Sequence, residues 1–83
     1  MADVFELEII RPTKSEKLSI EWIELQSPTG NFVVGPDHHP LVSLLSERGE
    51  MKYKNFQGGE KTKDIFGGIF KVAQNKAVIF LEE

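Results

Sequence analysis

The sequence predicts an all-β fold of short strands, a sandwich or a barrel, on three observations. Apolar residues alternate with polar ones in several short runs, the period of a half-buried strand. Turn formers recur about every 8–12 residues, as in sandwiches and barrels. No segment sustains a helical period, and no repeat, linker or low-complexity stretch interrupts the 83 residues.

Val4 to Ile10 places Phe5, Leu7 and Ile9 on one side and Glu6 and Glu8 on the other, and Pro12 ends the strand. Thr13 to Lys17 is polar, either a loop or an edge strand whose lysines discourage further pairing. Leu18, Ile20 and Trp22 alternate, but the apolar phase then jumps to Ile23 and Leu25. Burying both sets requires a bulge or a strand break near Trp22-Ile23. A helix would also bring Trp22, Ile23 and Leu25 together; the β-branched and aromatic content favours a strand.

Ser27-Pro28-Thr29-Gly30-Asn31 is a turn, with Pro28 at its start and a glycine able to take positive φ. Phe32 to Val34 is a short strand. The loop that follows, Gly35-Pro36-Asp37-His38-His39-Pro40, brackets the only two histidines between prolines. Each proline fixes its own φ and pushes the residue before it out of helical geometry. The loop is therefore rigid and extended, a form suited to presenting side chains. Leu41 to Leu45 is either a strand or a single helical turn, and Glu47 to Glu50 a charged turn.

Met51 to Phe56 alternates with its lysines outward, and Gln57-Gly58-Gly59-Glu60-Lys61 forms a hairpin turn. Gly67-Gly68 lies between Ile65-Phe66 and Ile69-Phe70-Lys71-Val72, where glycines mark a bulge, a sharp bend or a close approach of backbones. Ala73 to Lys76 is the last turn and Ala77 to Leu81 the last strand.

A chain of this length forms one domain, residues 1–83, and buries only about 60–65% of its unfolded surface. Its formal net charge of −3 gives no global attraction to phosphate. With 40% hydrophobic and 28% charged residues it is globular rather than disordered. No cysteine is present, so disulfides and thiolate metal sites are excluded. An acidic N-terminal stretch does not fit a signal peptide, and no apolar run approaches the roughly 20 residues of a membrane span.

Chemistry is hard to find. His38 and His39, as neighbours on extended backbone, point to opposite sides and do not readily share a metal. Gly58-Gly59-Glu60-Lys61-Thr62 lacks the spacing of a phosphate loop and has no helix after it. No serine sits in a nucleophile elbow. Glu6 and Glu8 read as a solvated strand face rather than an acid pair. Tyr53 and its flanking lysines fall on opposite faces, whereas single-strand nucleic-acid binding needs them on one. The expectation is a non-enzyme with no cofactor and no metal.

Two strings of residues go further. Gly30-Asn31-Phe32-Val33-Val34-Gly35-Pro36-Asp37-His38-His39-Pro40-Leu41 resembles the Gly-x-hydrophobic-Gly-hydrophobic-x-Pro-x-His-x-Pro-hydrophobic signature of F-type ATP synthase epsilon subunits, departing at Val33. Phe66-Gly67-Gly68-Ile69-Phe70-Lys71-Val72 is similar to that family's Gly-Gly-hydrophobic-x-x-Val segment, and the opening strands lie at matching distances. The resemblance spans nearly the whole chain. It implies a small β-sandwich of about eight to ten short, mostly antiparallel strands. It implies a mechanical role in the central stalk, coupling the gamma shaft to the membrane rotor ring during proton-driven ATP synthesis, with no bond made or broken in this subunit.

By position, the resemblance carries Asn31 and His38 to the rotor-ring interface and Val42 and Ser43 to the gamma-shaft interface. It implies a peripheral location on the cytoplasmic face of the bacterial inner membrane. Most relatives continue into a C-terminal helical hairpin that inhibits hydrolysis and in some members binds ATP. This sequence ends at Glu83, so neither that brake nor an ATP site is expected in it. The alternative is an unrelated small β-barrel that binds a ligand or single-stranded nucleic acid. The first reading requires a flat apolar patch on one face, the second a basic aromatic groove.

Overall fold

A computed structural model describes residues 3–82. They form eight strands: β1 (Phe5–Ile10), β2 (Ser15–Ser27), β3 (Gly30–Val34), β4 (Leu41–Leu45), β5 (Gly49–Asn55), β6 (Gly59–Ile65), β7 (Gly68–Ala73) and β8 (Lys76–Leu81). Hydrogen bonding runs in the order β4-β7-β8-β1-β2-β5-β6, with β3 added beside β2. Every pairing is antiparallel except β1 with β8, which joins the first strand to the last.

The 13-residue β2 makes two layers out of this sheet. Its first half pairs with β1 and its second half with β3. Between them the register against β5 shifts from Ile20–Asn55 to Trp22–Lys54, leaving Glu21 as the extra residue of a bulge. That residue reconciles the phase jump in the sequence, because Ile20 and Ile23 are both fully buried. The bulge falls one step earlier than the pattern suggests, so Trp22 turns to the outer face and is only half-buried. The Glu21 carboxylate accepts from Lys54 Nζ at 2.8 Å, which compensates its charge there.

The core collects the inward residues of both layers into one cluster: Phe5, Leu7 and Ile9 from β1, Phe70 and Val72 from β7, and Met51 and Tyr53 from β5. Phe32 leans onto Phe70 with ring centroids 5.8 Å apart, closing the side where β3 and β4 lie. Burying each large apolar side chain contributes on the order of 1.5–3 kcal/mol, so these positions set the register.

The segments left open by the sequence now resolve. Ser15 to Lys17 opens β2, paired with β1, and Leu41 to Leu45 is a strand. Gly67-Gly68 is a sharp bend and a close approach at once. Gly68 has φ of 141°, and a Cβ there would collide with the carbonyl oxygen of Phe80. Only glycine fits between β7 and β8 at that point.

Candidate functional site

The alternation of the strands gives the two layers contrasting outer faces. On β4, β7 and β8 the register aligns Leu44 with Ile69 and Ile69 with Phe80, and the row continues to half-buried Ile10 on β1. Leu44 is 65% exposed, Ile69 41% and Phe80 47%. Val42, at 67%, extends the row along β4. Leu44, Ile69 and Phe80 also line a groove of about 480 Å³ at the end of this face, beside Glu47 and Glu82. Large side chains so exposed and so aligned form a contiguous patch rather than scattered apolar residues.

On the opposite layer the equivalent rows are polar. Val33 aligns with Glu24, Lys52 and Thr62, and Trp22 with Lys54 and Glu60. No basic aromatic groove forms there. Tyr53 is 1% exposed, with Lys63 Nζ 6.0 Å from its ring centre, and Glu21 pairs Lys54.

The candidate residues distribute unevenly over this frame. Val42 stands on the apolar outer face. Ser43, its neighbour, points to the other side of β4 opposite buried Phe70, and its Oγ donates to the carbonyl of Leu44 at 3.0 Å. Asn31 is exposed near the β2–β3 turn, while His38 lies beyond the far end of β3 in the loop. Asn31 pairs with Gln26, whose carbonyl accepts the amide of Ser46 just past Leu45, so Asn31 lies toward the Leu45 end of β4, whereas the His38 loop joins the Leu41 end beside Val42.

His38 is half-buried, and its Nδ1–H donates to the His39 carbonyl at 2.7 Å. The two imidazoles are 6.5 Å apart at 66°. Among the described residues no three His, Cys, Asp or Glu side chains gather as a metal site would require. Glu6 and Glu8 sit opposite Lys76 and Lys17 in register, cross-strand pairing that accounts for them without chemistry. Leu44, Ile69 and Phe80 escaped the sequence reading because each falls inside an apolar run. Only the register shows that they form one row.

A β-sandwich with one apolar outer face and a stiff loop at one end has the make-up of a docking module. The chain belongs to the family of the ATP synthase delta/epsilon chain β-sandwich domain, whose model matches residues 4–83. Among solved structures it is similar to a chain of the Euglena gracilis mitochondrial ATP synthase (OSCP/F1/c-ring), with TM-score 0.87 and 20% identity over 100% of this chain and 52% of that one. It is also similar to a chain of the Tetrahymena thermophila mitochondrial ATP synthase central stalk and c-ring, with TM-score 0.77 and 16% identity over 94% of this chain and 63% of that one. The chain thus spans roughly half to under two thirds of the length of these relatives. No curated protein matches it in sequence.

Proposed function

We propose that this chain, acting as one domain over residues 1–83, is a non-catalytic central-stalk subunit of an F-type ATP synthase. It couples the gamma shaft to the membrane rotor ring and transmits torque between them. The observation that carries this reading is the apolar row Leu44–Ile69–Phe80 with Val42 beside it. A partner with a complementary apolar surface would bury such a row and exclude water from both sides.

Val42 meets the shaft directly, and Ser43 supports β4 from its inner side. Asn31 and His38, which lie toward opposite ends of β3, are the contacts proposed for the polar loops of the ring. Family membership supports this assignment, and both solved relatives come from rotary synthases. The assembly holds the chain peripheral to the membrane. Among its described residues no helix is long and apolar enough to cross one. The cytoplasmic face of a bacterial inner membrane is where the resemblance puts it, whereas the two relatives compared are mitochondrial.

Titrating the chain with a gamma subunit from the same organism tests the proposal. A one-to-one complex that survives moderate salt and weakens when Val42→Asp is introduced is the expected result. A folded chain that binds no gamma subunit overturns it.

A further inference from the structure

The β3–β4 loop and the β7–β8 turn are far apart in sequence, yet Asp37 and Asn75 hold each other reciprocally. The Asp37 backbone N–H donates to Asn75 Oδ1 at 2.6 Å, and Asn75 Nδ2 donates to Asp37 Oδ1 at 2.9 Å. Both residues have φ of 60°, a conformation that Asn and Asp adopt more readily than other side chains. The Asn75 carbonyl also accepts the amide of Glu6 at 3.1 Å. One asparagine therefore ties the loop, the β7–β8 turn and the start of β1 together.

Both side chains are exposed, so their hydrogen bonds replace bonds to water and contribute little to global stability. What they fix is direction. Pro36 and Pro40 stiffen the loop internally, but Gly35 leaves it free to swing as a body. The bonds at Asp37 remove that freedom one residue before His38. The His38 ring is oriented in turn, since its Nδ1–H is committed to the His39 carbonyl. In the neutral imidazole a donating Nδ1 leaves Nε2 as an acceptor.

We infer that Asp37 and Asn75 are positioning residues: they clasp the loop so that His38 Nε2 is presented to an N–H or O–H donor on the partner at this end of the sandwich. The partner is the rotor ring, so the inference rests on the coupling role proposed above. Freezing the loop before contact lowers the ordering cost of binding, which is why an exposed pair affects affinity more than stability.

The test compares the chain with Asn75→Gly, which deletes both bonds of the clasp, and Asp37→Gly, which deletes only the one accepted by Asp37 Oδ1; both keep the positive φ. Asp37→Asn serves as the conservative variant, since it retains the side-chain oxygen and the tolerance for this backbone. Two readouts are taken: backbone NMR order parameters of His38 and His39 in the isolated chain, and affinity for the purified rotor ring with its shaft bound. Asn75→Gly is expected to drop the order parameters from about 0.85 toward 0.6, and Asp37→Gly, left with the backbone bond, part of that way. Asn75→Gly should also weaken binding about tenfold and Asp37→Gly less than that, with Tm lowered by only a few degrees, while Asp37→Asn stays close to the unmodified chain. Unchanged order parameters, or a loosened loop that binds with unchanged affinity, overturns the inference. If the unmodified chain itself fails to bind, the coupling role falls and takes the ring with it, and the order parameters still decide whether the clasp holds the loop.

Discussion

The two outer faces of this sandwich are built by the same strand alternation and present opposite chemistry. On β4, β7 and β8 the outward positions hold Val42, Leu44, Ile69 and Phe80, with Lys71 and Lys76 as the charges on that face. On β2, β5 and β6 they hold Glu24, Lys52, Lys54, Glu60 and Thr62, with half-buried Trp22 the one large apolar side chain among them. The core is indifferent to this, because inward residues of both layers are equally buried. The edges repeat the contrast. Edge strand β6 carries Glu60, Lys61, Lys63 and Asp64, charges that discourage strand addition, whereas edge strand β4 carries none. The difference teaches that the apolar layer is shaped for contact and the charged layer for solvent.

The contrast can be broken most violently through the backbone. Gly68→Ala puts a methyl group into the Phe80 carbonyl at a φ that disfavours a side chain. It is expected to cost about 2–4 kcal/mol of unfolding free energy by separating β7 from β8. Gly35→Ala, where a Cβ meets nothing within 4 Å, should stay within about 1 kcal/mol. Urea titrations of the pair measure both.

Next in size is the effect on docking. Leu44→Asp should weaken binding to the shaft subunit on the order of 10–100-fold, as loss of a central apolar contact does. Its unfolding free energy should change by no more than about 0.5 kcal/mol. Lys52→Glu on the opposite face should leave binding unchanged, and equal losses from the two variants would remove the distinction between the faces. The smallest effect is electrostatic. Glu21→Gln removes the part-buried pair with Lys54 at the bulge and is expected to cost about 0.5–1 kcal/mol. Glu16→Gln, which loses a more exposed pair with Lys63 at 3.2 Å, should cost less than about 0.5 kcal/mol. Thermal unfolding at low and high salt separates them.

Where one face of a strand is buried, the sequence announced it. Phe5, Leu7 and Ile9 alternate against glutamates, and the phase jump after Trp22 calls for a bulge or a strand break, of which the structure has the bulge, at Glu21. The last hairpin was equally plain, since a short polar turn separates two apolar runs. Strand β6 was not singled out because Ile65 is its only buried residue, and an edge strand exposed on both faces leaves no periodicity to read. Leu41 to Leu45 stayed ambiguous for the opposite reason: continuous apolar runs fit a strand or a helical turn equally well.

The candidate surface was less legible than the fold. Val42 is a candidate by resemblance alone, and Leu44, Ile69 and Phe80 become one row with it only through the pairings β4–β7 and β7–β8. Asp37 and Asn75 gave no local sign of meeting, because a hydrogen bond between two loops depends on the path of everything between them.

The most direct test maps the footprint of the shaft on the folded chain by amide hydrogen exchange, free and in complex with a gamma subunit from the same organism. The account predicts that protection on binding concentrates on β4, β7 and β8, around Val42, Leu44, Ile69 and Phe80, and leaves β5 and β6 unchanged. Protection concentrated on β5 and β6 instead, with the apolar row still exchanging as in the free chain, would contradict it.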